Sequence, residues 1–107
     1  MARPTIKQQE AKSKELEYEY KINSKYTKIL DLDLTPTEKL IMLYLHKTAD
    51  ENGISSITQR ELADNIMASL STVKRTLSRL YTVDLISRQF RYAKGQGEIA
   101  NDYWINF

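Results

Sequence analysis

The chain has 107 residues, 41% of them apolar and 28% charged, with 16 Lys and Arg set against 14 Asp and Glu. That length allows one domain, which buries only about 60–70% of its unfolded surface and leaves most helices an exposed face. With no Cys and one His, a disulfide scaffold is excluded, and a zinc site would need almost nothing but carboxylates. No apolar run approaches the ~18 residues of a membrane span, and no charged-then-apolar leader opens the chain. The expectation is a soluble cytoplasmic domain with no membrane partner.

The small net charge of +2 conceals an uneven distribution. Between residues 71 and 94 stand Lys74, Arg75, Arg79, Arg88, Arg91 and Lys94, opposed by Asp84 alone. A basic block inside a near-neutral chain is either a solvated surface or a face for a polyanion. The structure on which the block sits decides between the two.

Residues 1–15 are rich in Lys, Gln and Glu and poor in apolar side chains, which predicts a flexible or marginally helical basic arm. The remainder, 16–107, is expected to form a single domain. Leu16, Tyr18, Tyr20 and Ile22 alternate with charged residues, the period of a strand. Leu30, Leu32 and Leu34 alternate with Asp31 and Asp33, which predicts a hairpin partner or an extended lead-in. The first firm helix opens at Thr35-Pro36-Thr37-Glu38, with Thr35 as cap, Pro36 at the first turn and Glu38 completing a capping box. Its run Leu40-Ile41-Met42-Leu43-Tyr44-Leu45 is apolar on more than one face and needs two covers. The second cover is either the N-terminal segment or a partner subunit. Gly53 is expected to end this helix.

A second capping box, Thr58 with Glu61, opens a short helix presenting Leu62, Ala63 and Ile66. Ser69 caps a third, on which Val73, Leu77 and Leu80 face the core. The opposite side carries Ser71, Arg75 and Ser78, with Lys74 and Arg79 at its edges. Ile86, Arg88, Phe90 and Tyr92 then alternate, a Gly-rich turn follows at Gly95 and Gly97, and Ile99, Asn101, Tyr103, Ile105 and Phe107 alternate again. This is a hairpin with Arg88, Arg91 and Lys94 on or near its tip. The order predicts an α+β chain, a winged helix-turn-helix of three helices and a C-terminal hairpin wing, with an extended N-terminal segment.

A helix that reads a major groove needs short polar or basic side chains on its outward N-terminal face and apolar anchors beneath. Ser71, Thr72, Lys74, Arg75, Ser78 and Arg79 over Val73, Leu77 and Leu80 meet that need. Arg88, Arg91, Lys94 and Gln96 supply the wing, where phosphates or a minor groove would lie. These ten residues are the candidate contacts to double-stranded DNA.

The segment from "LTPTEKLIMLYL" to "STVKRTLSRLYTVDLI" resembles the winged helix-turn-helix proteins of bacterial plasmids and phages. The likeness extends over roughly residues 30–107 and rests on Leu62, Ala63, Asp64, Ser69, Thr72, Val73, Arg75, Leu80, Leu85 and Ile86. The closing "NDYWINF" is similar to the wing strand of small plasmid replication proteins. The resemblance implies duplex DNA binding by the third helix and wing, usually as a homodimer. The implied setting is a replication origin, an operator, or a transfer origin, as for a conjugative-plasmid relaxosome accessory protein. Two positions depart from the family, which favours Gly where Met67 and Asp84 stand. A turn of different shape would misaim the third helix, and Arg91 and Lys94 would then matter more than Lys74 and Arg75.

Other chemistry finds little footing. Gly95 and Gly97 lack the Lys-Ser/Thr ending of a phosphate loop. No Ser, His and Asp have useful spacing, so no enzyme, cofactor, metal or small-molecule substrate is expected. His46 reads as a surface or partner-facing residue, and the tyrosines as packing rather than base-stacking groups. Trp104 reads as interface or wing packing. The competing functional class is a protein-interaction module that reuses the fold and carries its basic face for solubility.

Overall fold

The structure is a computed structural model that describes residues 24–93, 95 and 98–107. The expected basic arm at 1–15, the Tyr-rich strand at 16–22, Lys94 and Gln96 lie outside the described residues.

Among the described residues the architecture is α+β, with four helices and a three-stranded antiparallel sheet. Residues 24–31 are helical (α1). They are followed by α2 (Pro36–Lys47), β1 (Ile54–Thr58), α3 (Gln59–Ile66), α4 (Leu70–Thr82), β2 (Ile86–Ala93) and β3 (Ile99–Ile105). The helix at 24–31 corrects the extended reading of this stretch. Tyr26 and Ile29, three residues apart, both face α2 and the core while Leu30 is exposed, the spacing of a helix face. The Leu-Asp alternation falls where the helix unwinds, with Leu32 N–H donating to the Ile29 carbonyl at 3.2 Å. Helix α1 is also the second cover of α2. The Tyr26 and His46 rings meet edge to face at 4.5 Å, and Lys39 Nζ donates to the Leu30 carbonyl at 2.6 Å. In α2, Ile41, Met42 and Leu45 are buried, and Leu43 and Tyr44 pack beside the core.

Local signals in the chain place the helix starts. Thr35 Oγ1 accepts from Glu38 N–H at 3.2 Å and Glu38 Oε1 accepts from Thr35 N–H at 3.4 Å, the reciprocal box expected. Thr58 Oγ1 accepts from Glu61 N–H at 3.0 Å, and Ser69 Oγ from Thr72 N–H at 3.1 Å. Helix α2 ends earlier than expected, at Lys47 with Thr48 as its C-cap. Gly53, at φ 80°, instead forms the turn into β1, where Asp50 Oδ1 accepts from Asn52 and Ile54 N–H.

The strand order is β1-β3-β2, so the hairpin β2–β3 is completed by β1 along its other edge. Across β3, Ser55, Tyr103 and Arg88 share the helix-facing side, while Ser56, Asp102 and Gln89 share the outer side. Tyr103 is fully buried, and its hydroxyl accepts from Asn101 Nδ2 at 2.9 Å. Buried Ser55 is satisfied by the Thr48 hydroxyl at 2.7 Å. A bulge between Phe90 and Tyr92 breaks the hairpin register. Phe90 therefore stands opposite helix-facing Asn101, whereas Tyr92 stands opposite outward-facing Ala100.

Candidate nucleic-acid interface

Helix α4 is held from below by Val73, Thr76, Leu77 and Leu80, all buried. Thr76 covers its hydroxyl by donating to the Thr72 carbonyl at 2.7 Å. Ser71, Arg75 and Ser78 are exposed and Lys74 half-buried, and none of their side chains has a partner among the described residues. Thr72 is half-buried, with its hydroxyl accepting from Ser69 at 2.8 Å as part of the cap.

The turn that precedes α4 has the form glycine would give it. Met67 takes φ 57° and ψ 42°, closing α3 in the left-handed conformation, and Ala68 N–H donates to the Ala63 carbonyl at 3.0 Å. Asp84, at φ 65°, does the same after α4. Its carbonyl accepts from Asn106 Nδ2 at 3.0 Å, tying the turn to the end of β3. The departures from glycine thus leave the turn geometry intact and give no reason for α4 to be misaimed.

The six cations do not all converge. Five steps of about 100° put Arg79 roughly 140° around the helix from Lys74, on the flank facing α2. There its Nε lies 3.4 Å from Glu38 Oε2. That oxygen is buried and makes no hydrogen bond among the described residues, so Arg79 is its counter-charge. The same carboxylate therefore caps α2 with one oxygen and draws α4 in with the other. Arg91 is also diverted. On the outer face of the hairpin its Nε lies 3.5 Å from Asp102 Oδ1, which also accepts from the Ser56 hydroxyl at 2.6 Å.

Arg88 is not at the hairpin tip. It lies near the base of β2, on the helix-facing side, with its guanidinium 4.4 Å from the Tyr81 ring centroid. Tyr81 is on the same flank of α4 as Lys74, seven residues and about 700° further on, close to two whole turns. The structure therefore puts Ser71, Lys74, Arg75 and Ser78 on the outward side of α4 with Arg88 at its Tyr81 flank, and it pairs the partly exposed Arg79 and Arg91 with carboxylates beside that surface. The sequence contained one sign of this: Glu38 was visible as a cap, but a capping carboxylate has a second oxygen that also needs a partner once buried. Tyr81 was a contributor that the sequence reading passed over.

Away from this surface, a groove of about 560 Å³ lies between Tyr26, His46, Asp50 and Trp104. Asp50 in it is committed to backbone amides, and among the described residues no group of three or more His, Asp or Glu is placed to hold a metal. No described helix is long and apolar enough to cross a membrane. No protein-family model matches the chain, and no curated protein matches it.

Proposed function

We propose that this chain is a winged helix-turn-helix protein of the plasmid and phage type that binds double-stranded DNA, with α4 in the major groove and the β2–β3 hairpin as the wing. The observation that carries this reading is the outward face of α4. Lys74, Arg75, Ser71 and Ser78 have no partner among the described residues, on a helix whose other side is fully anchored. Two unpaired cations and two short hydroxyls along the outward face of a rigid helix suit guanine acceptors and phosphates. Arg88 extends the surface toward the wing while the Tyr81 ring holds its plane. Duplex origins and operators present the same chemistry, so the reading covers both.

Among the described residues, Lys74, Arg75 and Arg88 act directly, which corresponds to a contribution of about −3 to the slope of log K against log salt. A homodimer on inverted half-sites fits a module of this size, which alone reads few base pairs. Exposed Leu30 and Leu40 on neighbouring helices offer it a surface, although α1 already covers much of α2.

The test is selection from a random duplex library followed by footprinting. Enrichment of one sequence, protected over an inverted repeat, is the expected result. Failure to enrich any duplex, with salt-insensitive capture of a protein instead, would replace this reading with the protein-interaction module.

A further inference from the structure

Phe90 is 62% exposed, yet it sits on the side of the sheet that faces the helices. Arg88 precedes it by one pleat on that side, stacked on Tyr81 of α4. The bulge after Phe90 turns Arg91 and Tyr92 to the outer face, where Arg91 meets Asp102 and lies 5.5 Å from the Tyr92 ring centroid. Phe90 is thus a large apolar side chain left projecting beside the cationic surface, just before the strand changes face. Nothing in the core needs it there, since its opposite neighbour Asn101 is buried and engaged with Tyr103.

We propose that Phe90 is a wedge that enters a base step of the bound duplex and bends it. The inference rests on the DNA-binding reading above and extends it from contact to deformation. A polyanion is the occupant that the setting favours, because Arg88 stands one pleat from the ring on the same side of the sheet, and the Tyr81 on which it stacks belongs to α4, whose outward face carries the unpaired Lys74 and Arg75. An aromatic ring beside a cation can replace the stacking lost when a step opens, while the cation holds a neighbouring phosphate. Flexible pyrimidine–purine steps open at least cost, so the wedge would add a preference for TA or CA at a position that no hydrogen bond reads.

The experiment compares the full chain with Phe90→Ala and Phe90→Leu on the selected duplex. End-to-end energy transfer reports the bend, and 2-aminopurine placed at successive steps reports unstacking. The wild type is expected to shorten the end-to-end distance and brighten 2-aminopurine at one step per half-site. Phe90→Ala should lose both signals while affinity changes by less than roughly tenfold, because the cost of opening the step disappears with the contact. Phe90→Leu should keep most of the bend. Tight wild-type binding with no bend, or a bend unchanged in Phe90→Ala, overturns the wedge and leaves the DNA reading standing. Absence of wild-type binding to any duplex removes the DNA reading itself. If Phe90→Ala instead converts a sedimenting dimer to a monomer, Phe90 packs against a second copy and the proposal is wrong.

Discussion

Replacing Met67 with Gly should make this protein more stable. Met67 has φ 57° and ψ 42°, a conformation in which Cβ crowds its own backbone at a cost of about 1–2 kcal/mol for an ordinary residue. Its side chain is 93% exposed, so almost no packing is lost on removal. Against the relief stands the greater freedom of glycine in the unfolded chain, about 0.5–1 kcal/mol. The difference favours Met67→Gly by about 0.5–1 kcal/mol, a rise in Tm of about 2–6 °C for a domain of this size. Met67→Ala is the control, since it shortens the side chain but keeps Cβ and should give no gain. Thermal unfolding followed by circular dichroism measures both. A Tm that falls in Met67→Gly, or rises equally in both variants, would show that the turn before α4 does not hold Met67 in the left-handed region. Asp84 shares the positive φ, but its carbonyl and carboxylate accept from Asn106 at 3.0 and 3.4 Å. Asp84→Gly should therefore gain less.

Arg79→Ala should lower stability by about 0.2–1 kcal/mol in urea titrations, because the guanidinium that faces the buried Glu38 oxygen is itself largely exposed and the attraction is screened by water. Its coupling to Glu38→Gln in a double-mutant cycle should be clearly non-additive. Asn101→Ala should cost about 1–3 kcal/mol, the range for a buried acceptor left without a partner, because the fully buried Tyr103 hydroxyl loses its donor. Ser69→Ala should cost about 0.5–2 kcal/mol and fray the start of α4, visible as faster amide exchange at Thr72.

What the sequence reveals here follows the range of the interactions. Caps at Thr35, Thr58 and Ser69 close within three residues, so their partners stand side by side in the chain and the helix starts are legible. The anchors Val73, Leu77 and Leu80 are legible because one helical period determines them. The segment 24–31 is misleading because the short Leu-Asp alternation at its end imitates a strand, while the decisive contacts of Ile29, Tyr26 and Leu30 are with α2 and the core. The same holds for the candidate surface. Lys74 and Arg75 could be assigned from helix geometry alone. Arg79 and Arg91 could not, because Glu38 and Asp102 reach them only through tertiary packing and strand register. The bulge that separates Phe90 from Tyr92 leaves no mark on the period-two pattern, which assigns both residues to one face that they do not share.

The most direct test of the DNA surface is a salt titration of duplex affinity for Lys74→Ala, Arg75→Ala, Arg79→Ala and Arg91→Ala beside the wild type. Lys74→Ala and Arg75→Ala should each weaken binding and reduce the salt slope by about 1, whereas the two acid-paired arginines should leave the slope nearly unchanged. Equal loss of slope at all four positions, or loss at Arg79 and Arg91 alone, would contradict the surface described.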